Sequence, residues 1–536
     1  MKRSTRWLAA VTMALCITGT SFEAAAWGPR SQQAVAISAM RLVKTKFPEA
    51  FGTGETKFDQ DVLRGSQDGL NRLRQWYAIN SPDQAMDAVD SEIQLLRRAR
   101  QLGLDSYFEF RLGVLGGLVA DLALPASVAY AESDHARIDR MNGDLDLRVE
   151  NLIFTPRTTP RIYVRSAKEY TREYRNNFRE LDRIVHEDYA TGDGYQGVLK
   201  NGQNKFYSNA IEAVADVWYT ILRDEGDVGD IRTSDTALIE YLISKIDYTL
   251  NIKNNTGDAE RAYTEFGELK PTALENYEAI GDIFYNYSDA TRERGVREWE
   301  RALEFPGKTR QRVVQKVGNH YLKVGEERLE EAQANARERD AILLAAVDAF
   351  TNTLKFDRTN DRAADLLTQT NNEIRERNAN RQTQIEIIAG AESVMQKAEE
   401  MKKLEDFSGA IQAYNQAQGL LAAVSPDFPD QDESAKKRVG EIKKELNSIN
   451  TGIIDKGNQL IAKGDRMVDS KKFDDAVNLY RQVQSIVEVV PETEKTHHGQ
   501  AQELIKKAED KVANAEKERK RYEEQQKALE SAQPPK

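Results

Sequence analysis

YFEFRLGVLGGLVADLAL, residues Tyr107 to Leu124, decides the fold class. It is almost entirely apolar through its middle, which reads as a helix buried on all sides at the centre of a domain. Amphipathic helical patterns surround it in the sequence. Val35, Ile37, Leu42, Val43 and Phe47 recur among polar residues, and NAIEAVADVWYTILR (Asn209 to Arg223) repeats the helical spacing with more apolar positions. Alternating runs bounded by hairpin turns do not rise above the noise. The expected fold is all-α.

The first twenty-six residues have the pattern of a secretory signal. Lys2, Arg3 and Arg6 make a basic start, Trp7 to Ser21 is mostly apolar, and Ala24-Ala25-Ala26 offers the small residues that a signal peptidase needs. Thr, Gly and Ser break the apolar run, which is too short to remain as a membrane anchor. Leu15 before Cys16 argues against a lipoprotein, and no second stretch is long enough to cross a membrane. An exported protein is expected, periplasmic or extracellular. Cys16 is the only cysteine and leaves with residues 1–26, so the mature chain has neither thiol chemistry nor disulfides. The full chain carries −11, and losing a leader of three bases and one acid leaves −13. That balance argues against non-specific binding to nucleic acid or anionic lipid. Length alone leaves room for two or more domains.

Composition changes near residue 255, after which charged helices dominate. Two segments there share one template. Ala398, Met401, Phe407, Ala410, Tyr414 and Ala417 have the same offsets as Gly464, Met467, Phe473, Ala476, Tyr480 and Val483. This resembles the tetratricopeptide repeat, in which small residues of one helix meet aromatic and small residues of the next. Looser copies run through Ile280, Gly281, Phe284, Trp299, Ala302 and Leu303, and through Val317, Gly318, Tyr321, Ala346, Phe350 and Leu354. The two clear copies lie 66 residues apart, about twice the usual repeat length, so an atypical or elongated hairpin is expected between them. A plain helical bundle is the alternative. The repeats are placed at 266–490, with a charged helix and a disordered AQPPK tail over 495–536. Their apolar heptad seam is too thin to assert a coiled coil.

Before residue 255, WGPRSQQAVAISAMRL, VLRGSQDGL, FRLGVLGGLVADLALPAS and ESDHARIDRMNGDL follow one another. Together they resemble the zinc-dependent phospholipase C and single-strand-specific nuclease family, over residues 27–255. The resemblance implies an all-α domain whose N-terminal tryptophan, Trp27, binds zinc through its freed α-amine and carbonyl oxygen. It also implies metal-ligand roles for Asp68, Asp121, His135 and, at the spacing of the last motif, Asp139. Four histidines of the family pattern are missing: Gln32, Trp76, Gly117 and Ser127 stand in their places. A zinc cluster needs several neutral imidazoles, so the full cluster is expected to be lost. A reduced site of Trp27, Asp68 and Asp121 would hold one divalent ion, and oxygen-rich ligation suits magnesium, manganese or calcium better than zinc. His135 and Asp139 would hold another loosely. Each residue also has a plainer role: Trp27 as an apolar plug, His135 on the surface, and Asp139 paired with a neighbouring arginine. For Asp121 that role is an ion pair with Arg111, Arg137 or another arginine.

Other chemistries lack their motifs. There is no GxxxxGK phosphate loop and no Gly-x-Ser-x-Gly elbow. GDGYQG (Gly192 to Gly197) lacks the carboxylate spacing of a calcium hand. The sequence therefore supports an exported binding or scaffold protein that engages a protein or peptide through its repeats. The rival is a metal-dependent phosphoesterase using the reduced site.

Overall fold

A computed structural model describes residues 27–51, 60–124, 135–223 and 233–531. The leader, the AQPPK tail and Ser127 lie outside the described residues. Every regular element among the described residues is helical, as the sequence led us to expect. No described helix is long and apolar enough to cross a membrane. The chain divides into two compact units, Met1–Val313 and Val314–Lys536. The composition change near residue 255 therefore falls inside the first unit, not at its end.

Among the described residues, the helices of ten residues or more in the first unit are α1 (Pro29–Lys44), α2 (Gln60–Trp76), α3 (Pro82–Ala99), α4 (Ser106–Leu122) and α5 (His135–Asp146). They continue with α6 (Ala167–Thr191), α7 (Val198–Leu222), α8 (Asp235–Asn251), α9 (Thr256–Glu268), α10 (Leu274–Tyr287) and α11 (Asp289–Ala302). The opening stretch is α4. Asp105 caps it by accepting the N–H groups of Tyr107 and Phe108 at 3.0 Å. Only Ser106 and Glu109 escape burial along its length.

Glycines let α2 and α4 pack backbone against backbone. A Cβ on Gly65 would sit 2.8 Å from the nitrogen of Val114, and one on Gly113 would sit 2.9 Å from the nitrogen of Ser66. A Cβ on Gly117 would lie 2.5 Å from the carbonyl oxygen of Ser66 and 2.9 Å from the Cα of Gly69. Gly69 itself has φ +25° and kinks α2, a conformation that a side chain would strain. On another side of α4, Trp218 of α7 lies against Gly116 and donates from Nε1 to the carbonyl of Leu112 at 2.9 Å.

An extended strap over residues 153–164 runs along α7 without belonging to any sheet. The N–H groups of Ile153, Thr155, Arg157, Ile162 and Val164 donate in turn to side chains of Asn204, Ser208, Glu212, Asp216 and Thr220, at 2.9–3.0 Å. Those acceptors stand four residues apart, one helical turn each, so they form a single polar row on an otherwise apolar helix. Ser208 and Thr220 each also donate their hydroxyl hydrogen to a carbonyl four residues back, at 2.7 and 2.8 Å. Glu212 and Asp216 are buried, and the strap supplies their counter-charges from Arg157 (2.6 Å to Asp216) and Arg161, which pairs with Glu212. Tyr170 adds a hydroxyl donor to Asp216 at 2.9 Å. Burial opposes the Arg157 charge, and Asp216 more than restores it, holding the guanidinium above its ordinary pKa.

The second unit alternates long and short helices: α12 (Arg310–Ala334, whose first turn belongs to the first unit), α13 (Arg339–Phe356), α14 (Asp361–Lys403), α15 (Phe407–Leu421), α16 (Pro429–Asp469), α17 (Phe473–Val487) and α18 (Lys495–Ser531). The register of 66 residues is kept by every boundary from the end of α14 to the start of α18. Lys403 matches Asp469, Phe407 matches Phe473, Leu421 matches Val487, and Pro429 matches Lys495. In place of a separate hairpin between the copies there is one helix, α16, of 41 residues, which also carries Gly464 and Met467 of the second copy. The hairpin turns are equivalent in detail. Glu405 and Lys471 take φ of 62° and 59°, and the next N–H in each turn reaches back to Met401 or Met467, at 2.9 and 2.8 Å. Tyr414 donates to Glu399 at 3.2 Å, and Tyr480 donates to Asp465 at 2.5 Å, each fifteen residues back. Gly464 leaves room for the Tyr480 ring, and Ala398 shares a core with Tyr414.

The looser copies fit differently. Gly281 faces Trp299 as its spacing suggests, but this hairpin of α10 and α11 belongs to the first unit. The glycine against the Phe350 ring is Gly325, two turns after Gly318. The sequence misplaces that register because α12 is longer than the repeat template.

Candidate functional site

Trp27 enters the first unit just before α1 and is fully buried. Its indole Nε1 donates to the carbonyl of Ala120 at 2.9 Å, and its ring meets Tyr207 edge-on with centroids 6.3 Å apart. The plug role is therefore real. The same residue also aims its backbone nitrogen at Asp121, 3.3 Å from Oδ1. Gln32, one turn into α1, donates from Nε2 to that oxygen at 3.3 Å. Asp121 is 0% exposed. A buried carboxylate has to be compensated, and two N–H donors from residues 27–32 contribute to that.

Gly28 and Pro29 set the approach. Pro29 occupies the first helical position, where its missing N–H costs nothing. Gly28 has no Cβ because the carboxyl of Asp146, at the end of α5, fills that space. Asp146 accepts the N–H of Ser31 at 2.8 Å and that of Arg30 at 3.3 Å, so a residue 115 positions away caps α1. Replacing Asp146 by Ala should lower the stability of the first unit by about 1–2 kcal/mol, the usual worth of a helix cap, in urea unfolding. A change below about 0.3 kcal/mol would show that the cap contributes nothing.

The remaining candidates have other described surroundings. Asp68 is half-exposed on α2 and pairs with Arg72 at 3.3 Å, one turn along. Asp139 is exposed on α5. His135 opens α5, but its side chain lies outside the described residues. Of the five candidates, the structure brings Trp27 and Asp121 into contact. Among the described residues, no group of three or more His, Cys, Asp or Glu side chains could hold a metal.

The positions where the resemblance calls for histidine explain why. At Gln32 an amide donates to the carboxylate. At Gly117 the backbone of α2 occupies the room a side chain would need. At Trp76 the indole stacks on the guanidinium of Arg111, 3.5 Å from ring centre to Cζ. Arg111 does not pair with Asp121 as the sequence allowed. It pairs with Glu92 of α3 through two contacts, one from Nη2 to Oε1 and one from Nε to Oε2 at 3.2 Å. Both partners are buried, and Tyr77 and Tyr107 complete the cluster with hydroxyl contacts of 2.7 Å to Glu92 and 3.0 Å to Arg111. Burial lowers the Arg111 pKa, but Glu92 more than offsets it, leaving a permanent cation. Burial and the Glu92 charge push the Tyr77 phenol well above its ordinary range. Arg137 opposes the burial-raised pKa of Asp182.

The described residues thus do not fit a zinc cluster. Sequence reasoning missed the Glu92–Arg111–Trp76 cluster and the Asp146 cap. Gly28 ahead of Pro29 was the one local hint, since a glycine there marks close approach. Compared with known proteins, the chain matches no family model and no curated sequence.

Proposed function

We propose that this chain is an exported partner-binding protein, with a phospholipase C/nuclease-like helical domain lacking a working zinc site ahead of a tetratricopeptide-like array. The observation that carries the proposal is the 66-residue register, repeated down to the left-handed turn residues Glu405 and Lys471. Stacked hairpins of this kind offer extended surfaces to protein or peptide ligands. Two further features support it: Trp27, Gln32 and Asp121 are engaged with one another, and residues 1–26 have the pattern of a cleaved leader.

Deletion of residues 407–472 removes one register and joins Asp406 to Phe473 in phase. The shortened mature chain should keep its helicity per residue by circular dichroism but lose the partner that the intact chain captures. If it folds and still holds every partner, the array is not the binding element. The rival is a metal-dependent phosphoesterase in which Trp27 and Asp121 would be metal ligands. That reading requires at least one equivalent of zinc, manganese, magnesium or calcium per chain and hydrolysis of bis(p-nitrophenyl) phosphate. A metal-free, inactive mature chain that keeps its partner removes it.

A further inference from the structure

We propose that the first unit is completed by its own processing, with the α-amine of Trp27 pairing as an ammonium with Asp121 once residue 27 begins the chain. The inference rests on the export reading above. Hydrolysis of the Ala26–Trp27 peptide bond consumes one water. The water's oxygen joins the Ala26 carboxylate, and both of its hydrogens end on the released nitrogen, which with its own amide hydrogen becomes an ammonium.

The position of that nitrogen is already set. The backbone nitrogen of Trp27 stands 3.3 Å from Asp121 Oδ1, and both residues are 0% exposed. The indole is anchored separately, through Nε1 to Ala120 and against Tyr207, so cleavage does not release the residue. Before cleavage the group is a neutral amide with one hydrogen. Afterwards it has three hydrogens and a positive charge, next to a carboxylate in a dry core. Charge-assisted hydrogen bonds are about twice as strong as neutral ones, and burial of both residues weakens screening of the pair. Gln32 donates to the same oxygen from α1. The pair therefore ties the first residue of the mature chain to the last turn of the central helix α4.

In the family that the sequence resembles, the corresponding amine is spent on zinc. In this chain the carboxylate takes it directly, and at Gly117 the backbone of α2 fills the space of a further ligand. The proposed pair thus stands in place of the metal.

All five tryptophans precede residue 314, so tryptophan fluorescence follows the melting of the first unit within the full mature chain. The experiment compares a chain beginning at Trp27 with one carrying a single Ala before it, each with Asp121 or Asp121→Asn. The N-terminus of the protein recovered from exporting cells is read by mass spectrometry. We expect the recovered protein to begin at Trp27 and to melt about 5 °C above the Ala-extended chain. In the Asp121→Asn background the gap should close to about 1 °C, and a chelator should leave the melting of the Trp27 chain unchanged. If Asp121→Asn does not fold, the two chains that keep Asp121 still decide the matter. Equal melting of those two overturns the inference and leaves the export reading intact. A different N-terminus overturns both. A gap that survives Asp121→Asn, or a chelator that lowers the melting point, places the amine on another partner and also overturns the inference.

Discussion

Gly117→His, which restores the histidine that the family resemblance calls for, should unfold the first unit and yield no metal site. The loss expected is more than about 4 kcal/mol, the range reached when a packed core cannot move aside. A Cβ alone would come within 2.5 Å of the Ser66 carbonyl and 2.9 Å of the Gly69 Cα, and both are backbone. Backbone cannot swing away as the end of a side chain can. Gly69 is already in the left-handed region and Gly113 is in equally close contact one turn back, so α2 has no neighbouring slack to use. Gly143→Ala is the control, because nothing lies within 4 Å of its missing Cβ. It should be neutral or stabilising by up to about 1 kcal/mol. Tryptophan fluorescence during urea unfolding measures both. A Gly117→His chain that unfolds within about 1 kcal/mol of the unmodified chain and binds zinc stoichiometrically would show that the contact can open.

Glu92→Ala should cost about 3–5 kcal/mol by the same measurement, because it strands a buried guanidinium. Arg111 is 3% exposed, and its charge is then balanced only by the face of Trp76 and by neutral tyrosines. Cation–π contact supplies about 2 kcal/mol at best, too little to replace a two-contact carboxylate in a dry site. Replacing both charges, Glu92→Met with Arg111→Met, should cost far less than Glu92→Ala alone. No ion is then left buried, and two flexible side chains can fill the volume. A double variant as unstable as the single one would show that the cluster acts through shape alone.

The parts of the fold that were legible were those whose signal is local. Tyr107 to Leu124 is almost entirely apolar through its middle, which suits a central helix. The matched offsets from Ala398 and Gly464 carried the hairpin register without any knowledge of contacts. The glycine contact was not legible. Gly65 and Gly69 meet Gly113 and Gly117 across about fifty residues, and no residue between them marks the approach. The candidate site was half legible. Trp27, Gln32 and Asp121 were each singled out, and they do meet. The sequence pairs the Trp27 nitrogen with Asp121 only through a shared ion, and a direct contact between backbone nitrogen and carboxylate leaves no trace in composition. The polar row on α7 was hidden for a related reason. NAIEAVADVWYTILR is dominated by its apolar positions, and a polar residue every fourth place reads as the wet side of a helix.

That row has a consequence for how the chain can vary. Helix α7 acts as a ruler with marks one turn apart, and it grips the main chain of residues 153–164 without regard to what the strap displays outward. Ile153, Thr155 and Ile162 are exposed, so they are free to drift. The five marks are not free, since erasing one strands an amide with no strand beside it. Between Ile153 and Arg157 the strap advances two residues per mark, but it takes five between Arg157 and Ile162. Length can therefore change in the second interval, around Thr158, Thr159 and Pro160, while a single insertion between Ile153 and Arg157 would throw the Arg157 amide out of step.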